Sequence, residues 1–171
     1  MRLKNLFYFF ILLLSVNLLV SCDDDDEEET APEPTKTDQL VDGEWVGDKV
    51  FINRVNLADY PGVGSNAATF QSLRIDFADD KTYVATFNND GQEEKVEGTW
   101  ELNEDETMLT MGGFGELKVD NLTAENLNVS TTINTSNAAA IAGIFGVDPA
   151  VILGYLGGVS LNTEMRFIKA E

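Results

Sequence analysis

Covalent and metal chemistry in proteins leans on histidine and on free thiols, and this chain of 171 residues has no histidine and a single cysteine. Ser-His-Asp and Cys-His catalysis are thereby removed, together with the commonest zinc and transition-metal sites. What it has in excess is carboxylate: 30 Asp and Glu against 11 Lys and Arg, a formal net charge of -19. Carboxylate pairs can run acid-base chemistry, but with so many acids some pairs fall close by chance, and no spacing singles one out. Asn88 to Glu94 offers some oxygen ligands for calcium, yet lacks the glutamate spacing such a loop needs, and Asp90-Gly91 reads better as a hairpin turn. No phosphate-binding glycine loop appears. The charge repels nucleic acid. The expectation is a protein that is not an enzyme, with no cofactor, no metal and no nucleic-acid partner.

The one thiol has a distinctive neighbourhood. Arg2 and Lys4 precede an apolar run from Leu6 to Leu14, followed by Leu18-Leu19-Val20-Ser21-Cys22, the layout of an export signal. Ser15 and Asn17 interrupt the run and seven acidic residues follow Cys22, so the segment fits a bilayer only marginally. Leu19-Val20-Ser21-Cys22 resembles the lipobox of bacterial lipoproteins. The resemblance implies that residues 1–21 are a cleaved signal peptide and that Cys22 carries palmitate-type acyl chains, making the membrane a partner. Several acyl chains together hold a protein stably. With Cys22 so used, no disulfide forms.

Asp23 to Glu29 and the Thr- and Pro-containing stretch to Thr37 read as a self-repelling disordered tether over residues 22–39. The acidic run also resembles the export signal of Bacteroidetes surface lipoproteins, which implies a lipid anchor in the outer membrane with the domain exposed on the cell surface. The plainer alternative is a solvated spacer.

The elements that would carry a site begin near Leu40. Apolar residues there recur with period two: Leu73, Ile75 and Phe77; Tyr83, Ala85 and Phe87; Val96, Gly98, Trp100 and Leu102. That is the pattern of half-buried strands. Turn-forming groups separate them, and strands are predicted near 44–54, 68–77, 82–89, 93–102, 107–112, 115–120, 125–134 and 161–169. Eight such strands with tight connections suggest an antiparallel up-and-down barrel. One stretch breaks the period. Between Asn137 and Thr163 the only charge is Asp148, and Asp148-Pro149 reads as a helix start. Two short apolar helices are predicted as an insert over 137–160, just before the last strand. The chain is thus one domain, residues 40–171, on a tether.

Gly43-Glu44-Trp45 opens the first strand, Gly98-Thr99-Trp100 lies mid-domain, Leu122-Thr123-Ala124-Glu125-Asn126-Leu127 follows, and Arg166 sits on the last strand. This set resembles the bacterial lipocalin-like domain lipoproteins over residues 40–134 and the final strand. The resemblance implies an all-β, lipocalin-like (calycin) eight-stranded barrel in which the Trp45 indole closes one end and Arg166 stacks over it as a cation-π cap. Two apolar helices depart from the single longer helix usual in lipocalins.

A barrel of this size can hold one small ligand. Phe77, Tyr83, Phe87, Val96, Leu102, Met108 and Val129 are the interior candidates for a small hydrophobic molecule, and the same side chains could instead fill a solid core. The alternative function is an interaction or accessory module with a surface protein partner docked on 137–160. The sequence leaves the oligomeric state open.

Overall fold

The computed structural model describes residues 33–60, 64–156 and 160–171. The predicted signal peptide, Cys22 and the acidic run lie outside the described residues.

Period-two alternation places Ile75 and Phe77 on one face of β3 (Arg74–Phe77), Tyr83, Ala85 and Phe87 on one face of β4 (Thr82–Asn89), and Trp100 on the same face of β5 (Gln92–Leu102). A single sheet with one greasy face buries it most completely by curling onto itself. The strands continue as β6 (Met108–Met111), β7 (Gly115–Leu122), β8 (Asn126–Ile133) and β9 (Leu161–Lys169), each antiparallel to its predecessor. β9 then pairs with β1 (Glu44–Ile52), from Thr163 opposite Ile52 to Lys169 opposite Trp45. The result is a closed, lipocalin-like eight-stranded antiparallel up-and-down barrel, and β2 (Val55–Asn56) extends β1 as a short hairpin. Asp90-Gly91 forms the two-residue turn expected of it, with φ of 52° and 81°.

The segment predicted as one strand over 68–77 is instead α2 (Ala67–Ser72) followed by β3. β3 pairs with β1 only from Glu44 to Val46, and α2 covers the wall above that point. Gly47 permits this approach, because a Cβ there would collide with the Phe70 carbonyl. Phe70 turns inward and packs against Phe167 and Phe145, with ring centroids 5.3 and 5.9 Å apart.

The domain begins earlier than the tether boundary at 39 implied. α1 (Lys36–Val41) starts on a reciprocal capping box: Asp38 N–H donates to Thr35 Oγ1 at 3.1 Å, and Thr35 N–H donates to Asp38 Oδ2 at 2.8 Å. Lys36 donates to the Glu106 carbonyl at 2.9 Å, and Leu40 is wholly buried. α1 therefore belongs to the barrel and seals the end where β1 enters. Local capping, which composition alone did not reveal, overrides the polar character of residues 35–39.

Both helices of the insert form, as α3 (Ala138–Ile144) and α4 (Pro149–Leu156), and the Asp148 carboxylate accepts from Ala150 N–H at 2.7 Å. They lie at the end opposite α1, in the connection between β8 and β9. Among the described residues no helix is long and apolar enough to cross a membrane.

Candidate functional site

The closed end shows what the two tryptophans do. Trp45 is fully buried, and its Nε1 donates to the Leu40 carbonyl of α1 at 2.8 Å. The indole is thus packed under α1 at this end of the barrel, and Arg166 does not cap it. On β9 the inward positions are Thr163, Met165 and Phe167. Arg166 falls between them and points outward, where it pairs with Glu164 at 2.7 Å and lies over the Phe51 ring at 4.4 Å. The expectation of an Arg166–Trp45 cation-π pair is corrected by strand parity: one residue is inside the wall and the other outside. A cation does cover a tryptophan, but it is Lys81 over Trp100 at 3.9 Å, where the indole Nε1 donates to Ala78 O at 3.1 Å.

The barrel interior is the place where a lipocalin-type ligand would sit, and here it is full. Ile141 and Ile144 of α3 reach over the mouth, and together with core side chains such as Ile75, Leu109 and Met165 they surround a void of about 20 Å³. That is room for about one water-sized sphere, whereas ligand pockets run to roughly 300–1,000 Å³. Of the seven interior candidates, Phe77 and Val129 line this void; Tyr83 and Phe87 are buried core, and Val96 and Leu102 pack against it. Of the two alternatives left open, solid core and cavity, the side chains make a solid core. Burial pushes the Tyr83 phenol up from its ordinary value, and its hydroxyl donates to the Gly112 carbonyl. Met108, expected in the interior, is not there: Leu109 and Met111 point inward, and Met108 faces out. The quartet Met108-Leu109-Thr110-Met111 offers two parities, and the one that buries two apolar side chains without the threonine wins.

A different concavity opens at the mouth. An apolar cleft of about 180 Å³ lies between α4 and the β1–β2 hairpin, with Ile52, Leu57 and Tyr60 on one wall and Phe145, Val147, Val151 and Ile152 on the other. Ile133 and Leu161, facing each other in the β8–β9 register, form its floor. Its polar groups are already engaged: Tyr60 Oη donates to Ile52 O at 3.0 Å, and Asn53 Oδ1 accepts from Asn162 N–H at 3.2 Å. Such a site can take an apolar group and offers nothing for bond-making chemistry. Phe145, Val147, Val151 and Ile152 fall in the insert that the sequence marked as apolar. Leu57 and Tyr60, in the irregular segment after β2, gave no periodic signal.

The chain matches no protein-family model and no curated protein.

Proposed function

We propose that this protein is a lipid-anchored, cell-surface, lipocalin-like binding protein that takes a small hydrophobic molecule in the mouth cleft rather than inside the barrel. The observation that carries the reading is the apolar cleft of about 180 Å³ beside an interior already filled by its own side chains. That volume suits a ring or a short alkyl segment. Anchoring through Cys22 rests on its lipobox-like context, and binding without catalysis fits a chain lacking histidine.

The test uses the neutral fluorophore N-phenyl-1-naphthylamine with the full chain in mild detergent. It should bind with a blue-shifted emission, and Val151→Glu, which places a carboxylate in the cleft wall, should abolish the signal while leaving the melting temperature within a few degrees. Equal binding by parent and variant would remove the cleft as the site. Cys22→Ser should move the protein from the membrane to the soluble fraction.

A second reading is favoured by one further observation: α4 leaves two aliphatics, Val151 and Leu153, 38% and 43% exposed, and exposed apolar surface on a rim helix suits a protein contact. Leu153→Asp should abolish partner retention yet spare fluorophore binding, which tells the two readings apart.

A further inference from the structure

The core contains one polar side chain. Every other buried side chain among the described residues is apolar, but Thr163 on β9 is 2% exposed, and its Oγ1 has no hydrogen-bond partner among those residues. A buried hydroxyl left unpaired costs stability, and valine would fill the same shape without that cost. Buried polar groups are paired as a rule, so the orphan marks a place where a partner is missing.

Its position says from which side the partner comes. Thr163 lies on the inward face of β9, one inward step from Leu161, and its register partners are Ile52 on β1 and Thr131 on β8. Ile52 and Leu161 both line the mouth cleft, as does Ile133, the inward position after Thr131. In the other direction the next inward residues, Met165 and Val129, line the inner void. Thr163 thus belongs to the one layer of side chains between cleft and void, directly beneath the cleft floor.

Neither the wall nor the void supplies the missing bond. The Thr131 hydroxyl donates elsewhere, to the Glu116 carbonyl at 3.0 Å. A water in the void would be ringed by apolar side chains, without the further polar partners that hold a buried water. The cleft floor is the side that can give, because Ile52 and Leu161 are only partly buried. A threonine hydroxyl both donates and accepts, so an alcohol or a carbonyl oxygen would satisfy it. An ionised group would not, since the layer offers it no counter-charge.

We infer, resting on the cleft-binding reading above, that the ligand is a neutral apolar molecule with one hydroxyl or carbonyl oxygen at its buried end. Thr163 is the specificity-determining residue that pairs with this oxygen through the cleft floor.

The test is displacement of N-phenyl-1-naphthylamine from the full chain in mild detergent by two probes of matched shape, 2-naphthol and 2-methylnaphthalene. Parent, Thr163→Val and Thr163→Ser are compared, with inhibition constants corrected for the fluorophore's own affinity. Each probe is compared with itself on different proteins, so its partition into detergent cancels. Thr163→Val should bind 2-naphthol about tenfold more weakly, the loss of one hydrogen bond, and 2-methylnaphthalene as well as the parent does. Thr163→Ser keeps the hydroxyl and should keep the affinity for 2-naphthol. Without ligand, the melting temperature of Thr163→Val should hold or rise, so a loss confined to 2-naphthol is an outcome that a merely structural threonine would not give. Failure of 2-naphthol to displace the fluorophore, an unchanged affinity in Thr163→Val, or an equal loss for both probes overturns the inference and leaves the cleft reading standing. Failure of the fluorophore to bind the parent removes both together.

Discussion

α3 and α4 come from one stretch of nearly uncharged chain, yet the barrel uses them in opposite ways. α3 buries Ala138, Ile141, Ala142 and Ile144 and shuts the mouth, whereas α4 buries Ile152 and leaves Val151 and Leu153 open to solvent. Composition is nearly the same in both; what differs is what lies beneath. α3 sits where the inward faces of the strands converge, with Phe145 at its end packed on Phe70. α4 sits at the rim, over the β1–β2 hairpin. The contrast teaches that apolar character sets only the need for cover. Position in the barrel decides whether that need is met by the fold or left for something else.

The sharpest way to break this distinction is to charge each helix in turn. Ile141→Asp puts an unpaired carboxylate into the core and should cost about 4 kcal/mol or more, whereas Leu153→Asp should change stability by less than about 0.5 kcal/mol. Denaturant unfolding monitored by tryptophan fluorescence measures both; equal losses would erase the difference between the helices. The closed end provides the fixed reference. Trp45→Phe strands the Leu40 carbonyl and should cost about 1–3 kcal/mol, while Arg166→Ala, which removes an exposed pair, should cost less than about 1 kcal/mol. A reversed order would restore the cap that strand parity denies. A finer probe is Asp148→Ala, which deletes the α4 cap and should cost that helix about 1 kcal/mol. Because rim elements open locally, fluorophore binding should drop more than global stability does.

The smallest expected effect is one of pH. The Thr35 hydroxyl, together with its backbone N–H, holds the Asp38 carboxyl below its ordinary value of 3.8. A folded-state value lower than the unfolded one means the contribution is present above pH 3.8 and disappears as pH falls through the folded-state value. Amide exchange in α1 should therefore quicken below that pH, while exchange in α3, which carries no carboxylate, should not share the titration.

Strands were the most legible feature of the sequence, because every second residue had to be apolar: β4, β5 and β9 lie within about a residue of where the alternation put them. The same rule also held information that went unread. Thr163, Met165 and Phe167 take the inward positions, so Arg166 between them had to face out, and the analogy that set it over Trp45 conflicted with that parity. Residues 67–72 looked strand-like because Phe70 and Leu73 are apolar, but their spacing of three also suits one face of a helix. α1 was legible as a capping box, Thr35 with Asp38, obscured by the polar company it keeps. The mouth cleft was half visible in the insert. Its Leu57 and Tyr60 wall arises only when the sheet closes, and no local pattern encodes it.

The seam between β1 and β9 carries a consequence for how the molecule comes into being. Lys169 and Asp42 form a 2.6 Å ion pair across it from positions 127 residues apart. Until residues 161–169 have emerged, the cylinder is an unsealed ribbon with both margins bare, and pairing so distant in sequence is slow. A nascent chain therefore stays loose and threadable until β9 has emerged, and deleting β9 should leave a sticky sheet that aggregates rather than a smaller barrel.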